Sequence, residues 1–290
     1  MSAKPYVGRF APSPSGPLHL GSLVAALGSF LQARSQNGQW LVRIEDIDPP
    51  REQAGASSLI LQQLEQFGLY WDGSVLYQSH HLARYQQYID HWLHLQQAYH
   101  CQCTRKMIKA SGGVYSGTCL DKGLLGDHYA TRLHSHAAIY QFDDLCYGQV
   151  DIPAAIAEED FIVKRRDGLY AYNLAVSLDD AEQGITEVVR GADLILTTGR
   201  QLAIFKLLGK AAPQYLHLPL VLDEHGNKLS KQNHAPSISS KQNQRLLLQA
   251  LTYLGQTSEA GWLELSCEQI LNKAIANWRL TEIPKNSMSN

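Results

Sequence analysis

The chain has 290 residues, 44% of them hydrophobic and 18% charged, with a formal net charge of −2. This excludes a disordered or fibrous chain, and the length suffices to bury a substantial core in one large domain or two smaller ones. No apolar run reaches the length of a membrane span and no signal peptide opens the chain, so a cytoplasmic protein with no membrane partner is expected.

Tyr6 to Phe10 is short, partly apolar and aromatic, and reads as a strand. Residues 11–20 hold Pro12, Pro14, Gly16 and Pro17 and form a constrained loop. Ser22 is placed to cap the next helix, which carries Leu23, Val24, Leu27, Phe30 and Leu31 on one face and stops near Asn37-Gly38. Trp40 to Ile44 is the following strand. A loop at a helix N-terminus in such a βαβ unit favours phosphate through free N–H groups and the helix dipole. His19 is expected to point at that phosphate site, and Gly21 to let a flat base approach the backbone.

Further along, Leu59 to Phe67 and Leu82 to Tyr99 read as amphipathic helices, and residues 100–135 as an irregular insert rich in cysteine. Ile139 to Ile152 and Phe161 to Lys164 read as strands, with a hairpin turn at Arg166-Asp167-Gly168 leading into Leu169 to Tyr172. Strands are expected at Ile185 to Val189 and Leu216 to Val221, with a helix near Arg200 to Leu208 between them. Asp223 to Gly226 reads as a turn, and the chain beyond Ser240 as helical before a polar tail from Pro284. This alternation, split by an insert, predicts an α/β fold with a doubly wound parallel sheet and ligands at the strand ends. The balanced charge predicts local rather than extended RNA contact. Candidate patches are Arg105-Lys106 with Lys109, and Lys164-Arg165-Arg166.

The five cysteines are Cys101, Cys103, Cys119, Cys146 and Cys267. Their odd number and the expected compartment speak against a disulfide framework. Cys101, Cys103 and Cys119 fall close together around Gly- and Ser-rich sequence, as in a small zinc loop with thiolate ligands. Spacing alone leaves His100, Tyr115, His128 and Cys146 competing as the fourth ligand.

Two separated motifs carry a family resemblance. Pro17-Leu18-His19-Leu20-Gly21-Ser22 resembles the "HIGH" signature, and Lys228-Leu229-Ser230-Lys231-Gln232 the "KMSKS" signature, of class I aminoacyl-tRNA synthetases. They occur in the right order, about one catalytic domain apart. Ser22 stands where the first consensus has histidine, and Leu229 and Gln232 depart from the second. Gly8 to Gly16, Arg43 to Asp48, Tyr170 to Ala175 and Val189 to Leu194 resemble blocks of glutamyl- and glutaminyl-tRNA synthetases. The 59 residues beyond Lys231 are too few for the anticodon-binding domain of full-length members. That truncation, and a C-x-C, tyrosine, three residues, cysteine pattern, resemble the short bacterial glutamyl-queuosine tRNA(Asp) synthetase family.

The resemblance implies a Rossmann-type catalytic domain in two halves, residues 1–99 and 166–239. Between them lies an insert, 100–165, with the zinc loop and strands like those that bind an acceptor; a C-terminal helical segment, 240–290, follows. It implies one structural zinc on Cys101, Cys103, Tyr115 and Cys119, and Mg²⁺ with ATP. His19, Lys228 and Lys231 are the expected catalytic residues, with His19, Gly21 and Lys231 meeting ATP. Glutamate needs recognition at both ends. Glu45 suits the ammonium group, helped by Tyr172, while Arg9 and Arg190 suit the two carboxylates, with Ser13 assisting. Glutamyl-adenylate would form without tRNA, and glutamate would pass to queuosine in the anticodon loop of tRNA(Asp), the enzyme acting as a monomer. The competing readings are a minimal glutamyl-tRNA synthetase charging a 3′ end and a non-catalytic RNA-binding relative.

Overall fold

The first βαβ unit of the computed structural model follows the chain's apolar pattern closely. β1 (Val7–Phe10) leads through the proline loop into α1 (Leu20–Ser35) and back into β2 (Gln39–Ile44). The structure describes residues 5–135, 138–222, 238 and 242–285. The α1 cap is His19, not Ser22: the His19 Nδ1 accepts the Ser22 N–H at 3.3 Å, one turn earlier than expected. All residues from Leu23 to Ala33 except Ala25 are buried, as in a helix that runs through a core. A Cβ at Gly28 would lie 2.6 Å from the Leu218 Cδ1, so a larger residue there would displace the Leu218 side chain. Trp40 is fully buried, donates its indole N–H to Ser29 at 2.9 Å and packs edge-on against Phe30.

α2 (Ala56–Gln66), β3 (Leu76–Tyr77) and α3 (Leu82–His94) follow. The helix expected over Leu82 to Tyr99 stops at His94. Gln96 takes a positive φ of 56°, which α-helix does not allow, and the chain re-enters as β4 (Ala98–Cys101). The supposedly irregular insert contains α4 (Arg105–Ala110) and β5 (Ala130–Leu133). The single strand expected over Ile139 to Ile152 is a hairpin of β6 (Gln141–Asp144) and β7 (Gly148–Asp151), turning where Gly148 has φ 77°. After α5 (Ala154–Ala157), β8 (Ile162–Lys164) meets the next segment only through a bridge from Lys164 to Tyr170. Leu169 to Tyr172 is thus no full strand, and Tyr172 begins α6 (Tyr172–Glu182), a helix the sequence reading lacked. β9 (Glu187–Gly191), α7 (Thr198–Leu207), β10 (Gln214–Leu218), α8 (Asn243–Tyr253) and α9 (Cys267–Asn277) complete the strands and α-helices among the described residues.

The strands run β3-β2-β1 in one ladder and β9-β10-β6-β7 in a second, parallel except for the β6–β7 hairpin. The two ladders meet at β1 and β9, where the Thr186 N–H donates to the Val7 carbonyl at 2.9 Å. The strand order therefore reverses at that junction, the place where α/β sheets hold ligands at their carboxyl ends. β4, β5 and β8 form a separate antiparallel sheet in the insert. α8 and α9 close the core over α1, with the Trp278 indole N–H donating to Gln32 at 2.7 Å. No helix among the described residues is long and apolar enough to cross a membrane.

Candidate active site

Two clefts open beside the junction of the ladders. The first, of about 530 Å³, is lined by Phe10 at the end of β1, His19 and Gly21 at the start of α1, and Gly191, Asp193 and Leu218 near the ends of β9 and β10. Because the His19 Nδ1 accepts the Ser22 N–H, the neutral ring carries its proton on Nε2. The helix N-terminus at this cleft supplies the positive end of a dipole. Lys228 and Lys231 lie outside the described residues. Ile238 is described: its N–H donates to the Leu18 carbonyl at 3.0 Å, which brings the chain just beyond the lysine motif against the loop of the first motif.

The second cleft, also about 530 Å³, has Glu45, Gln78, Glu52, Arg165, Tyr170 and Tyr172 in its walls. Ser13, Ser15 and Arg51 line both clefts, so the two share a wall. Glu45 ends β2 and is only 8% exposed; burial pushes its carboxyl up to about 7 despite Arg43 and Arg9. Its Oε1 has no hydrogen-bond partner and lies 3.6 Å from the Arg43 Nη2. A buried carboxylate left this way suits a cationic group entering the cleft.

The two expected carboxylate receptors are held very differently. Arg9 gives Nε and Nη2 to the Asp180 oxygens at 3.0 and 3.1 Å and is buried, lining neither cleft. Asp180 also takes the Arg43 Nη1 at 2.8 Å, and all three groups are buried. The neighbouring Asp179 accepts from the Gln78 amide at 2.7 Å and the Tyr85 hydroxyl at 2.8 Å, and pairs with Arg84. Arg190, on β9, donates Nε to the His217 Nε2 at 3.0 Å, Nη1 to Gln201 at 2.8 Å and Nη2 to Thr198 at 2.8 Å. Its Nη1 also reaches the Tyr172 hydroxyl at 3.4 Å, which ties two of the expected glutamate-binding residues together. His217 in turn gives Nδ1–H to Asp144 at 2.7 Å, and burial holds the ring neutral by lowering its pKa. This chain of fixed partners sets the direction of the Arg190 fork.

Asp144, Asp179, Asp180, Thr198, Gln201 and His217 were not singled out from the sequence. The partners of the acids lie far away along the chain, 171 residues for Asp180 and Arg9 and 73 for Asp144 and His217, whereas Thr198 and Gln201 meet Arg190 from 8 and 11 residues away. The one available signal was the acidic pair Asp179-Asp180 in an otherwise apolar stretch, buried charge needing a partner.

In the insert, the sulfurs of Cys101, Cys103 and Cys119 all lie within 4.8 Å of one another. Cys103 and Cys119 are 3.5 Å apart, close to the ~3.8 Å edge of a tetrahedral zinc thiolate site. Tyr115 is buried in the same cluster, its hydroxyl accepting the Cys119 N–H at 2.9 Å, and Arg132 stacks 3.6 Å over its ring. Cys146 lies outside this cluster, buried in the main core near the Ile283 carbonyl. Burial, with Cys119 next, raises the Cys103 thiol to about 11, so a cation is needed to hold it as thiolate.

The catalytic-domain model of class I tRNA synthetases (E and Q) matches residues 6–114 and 124–278, leaving out the stretch that holds Tyr115 and Cys119. The chain is 56% identical over 287 residues to the glutamyl-Q tRNA(Asp) synthetase of Vibrio vulnificus, covering 98% of this chain and 93% of that protein. It is 57% identical over 280 residues to the protein of that name from Photobacterium profundum, covering 97% and 90%. A glutamate tRNA ligase from Elizabethkingia meningosepticum, solved in complex with its amino acid, superposes with a TM-score of 0.81 at 23% identity. That match covers 98% of this chain and 66% of the larger one, and it shows the shared fold. The chain thus belongs to the class I tRNA synthetase family of the glutamate and glutamine type, in the group whose members are named glutamyl-Q tRNA(Asp) synthetase.

Proposed function

We propose that this protein activates glutamate with ATP, without needing tRNA, and transfers it to queuosine in the anticodon loop of tRNA(Asp). The observation that carries the reading is 56–57% identity, over nearly the whole length, to proteins named for that reaction. The second cleft supports it with the Glu45 carboxylate for the ammonium group; Arg9 and Arg190 are buried and line neither cleft, and Arg190 reaches the Tyr172 hydroxyl in its wall at 3.4 Å.

In the first step the glutamate α-carboxylate attacks the ATP α-phosphorus. The bond to the β-phosphate oxygen breaks, leaving glutamyl-adenylate and pyrophosphate. No enzyme nucleophile is needed, so the protein contributes position and charge. His19 at the α1 N-terminus, with Lys228 and Lys231, would stabilise the phosphoryl oxygens, and Gly21 would leave room for the adenine. Mg²⁺ arriving with ATP would screen the phosphates. Glu45 and Tyr172 would hold the ammonium group, while Arg9, Arg190 and Ser13 would hold the carboxylates. In the second step a hydroxyl of the cyclopentenediol attacks the glutamyl carbonyl carbon; AMP leaves and the hydroxyl proton is released.

The deciding experiment incubates enzyme, ATP and glutamate with an isolated queuosine-containing anticodon stem-loop of tRNA(Asp), followed by mass spectrometry of its nucleosides. Queuosine should gain one glutamyl group, while the same loop with guanosine should stay unchanged. Glutamate found only on the 3′-terminal adenosine of whole tRNA would replace this reading with that of a minimal glutamyl-tRNA synthetase.

The proposed metal is one zinc per chain on Cys101, Cys103, Tyr115 and Cys119. It would be structural, since thiolates dominate the ligand set. Cys103→Ser should abolish stoichiometric zinc in elemental analysis of protein purified without chelator. Glutamate-dependent pyrophosphate exchange by the folded fraction should persist. Wild-type protein free of zinc under those conditions would remove the metal from the account.

A further inference from the structure

The glutamate cleft holds more unpaired acceptors than an amino acid can use. Gln78 Oε1 and Glu52 Oε1 are buried without a hydrogen-bond partner, Glu45 Oε1 has only its ion pair with Arg43 at 3.6 Å, and all three residues line it. Gln78 is 1% exposed, and its Nε2 is committed to Asp179 at 2.7 Å. That bond fixes which way the amide faces and leaves its carbonyl oxygen waiting for a donor. The glutamate ammonium group accounts for Glu45 but not for Gln78 and Glu52 together.

The charges at this end of the cleft divide unevenly. Asp48 is neutralised twice, by Arg51 at 2.6 Å and Arg165 at 3.6 Å, and Arg165 also pairs with Asp167. Glu52 has no ion pair among the described residues. Burial, and then Asp46, push its carboxyl above the usual range. A carboxylate with a backbone N–H of Asp48 but no ion pair, and a fixed carbonyl oxygen beside it, select a ligand that brings N–H donors and positive charge.

Queuosine brings both. Its diol sits on a five-membered ring that also carries a secondary amine, protonated at neutral pH. A diol placed for attack on the glutamyl carbonyl carries that cation into the same cleft. The ribose diol of a 3′-terminal adenosine has no such group. We propose that Glu52 and Gln78 form the subsite for the protonated amine of the acceptor nucleoside, and that this subsite favours queuosine over a plain ribose. The inference rests on the queuosine reading given above.

The test compares wild type, Glu52→Gln and Glu52→Asp in two assays. One is glutamate-dependent pyrophosphate exchange; the other is transfer to the queuosine-containing stem-loop. Glu52→Gln should leave exchange unchanged and lower kcat/KM for transfer by about tenfold or more, the scale of a lost charge-assisted hydrogen bond. Glu52→Asp, which keeps the charge, should recover part of the loss. Equal transfer by Glu52→Gln and wild type overturns the subsite while leaving the queuosine reading intact. A parallel fall in exchange also overturns it, by assigning Glu52 to activation. Absence of transfer by the wild-type enzyme overturns the reading and the subsite together.

Discussion

Asp180→Ala is expected to lower the unfolding free energy by about 3–5 kcal/mol, the cost of leaving buried charge unpaired. Asp180 takes three guanidinium nitrogens, two from Arg9 and one from Arg43, and all three residues are buried. Without the carboxylate, two arginines on adjacent strands face each other in a dry interior. Burial alone would raise the Asp180 carboxyl, but Arg43 and then Arg9 outweigh it and hold it below the usual range. Its stabilisation is therefore present above the unfolded carboxylate pKa of about 3.9 and is lost as pH falls through the lower folded value. Glu45 acts in the opposite sense. Its carboxyl is raised to about 7, so its ionised form costs stability above that pH and the cost fades on acidification toward its ordinary value. Chemical denaturation at pH 7 and at pH 4 would read the Glu45 effect, and a series continued below pH 4 the loss of the Asp180 contribution. A loss below about 1 kcal/mol for Asp180→Ala, the scale of an exposed ion pair, would overturn the assignment of this carboxylate as the buried partner of both arginines.

Arg190→Ala is expected to lower kcat/KM for glutamate in pyrophosphate exchange by about 10²–10³, the scale of removing one partner of a buried charge pair. The guanidinium is pre-aimed by His217, Gln201 and Thr198, so the enzyme does not have to order it when substrate arrives. The loss should fall on the glutamate KM and the chemical step, with the ATP KM little changed, because Arg190 reaches Tyr172, which lines the cleft assigned to glutamate and not the one assigned to ATP. Steady-state kinetics with each substrate varied in turn checks this. An unchanged glutamate KM would take Arg190 out of amino-acid recognition.

Much of the positioning framework was legible in the sequence because its signals are local. The β1-loop-α1-β2 unit announces itself through proline, glycine and an apolar face. Three misreadings share a different cause. α6 buries every residue from Leu174 to Asp180, so it shows no amphipathic period to read. The run from α3 into β4 keeps its apolar spacing across the break, and only the positive φ at Gln96 ends the helix. The α1 cap is a histidine, a residue the usual capping preferences pass over. The buried partners of Arg9 and Arg190 were illegible for a further reason. A pair such as Arg9 on β1 and Asp180 on α6 has no sequence spacing to recognise and is created only when that helix packs under the strand.

The wall that Ser13, Ser15 and Arg51 give to both clefts bears on inhibition. On the proposed reading, an amino acid and a nucleotide occupy neighbouring chambers with little between them. A single uncleavable molecule joining a glutamyl head to an adenosine through a short neutral linker would enter both chambers in one event. Its second half would bind at the effective concentration set by the first, so modest affinities for the separate pieces would combine into a tight one.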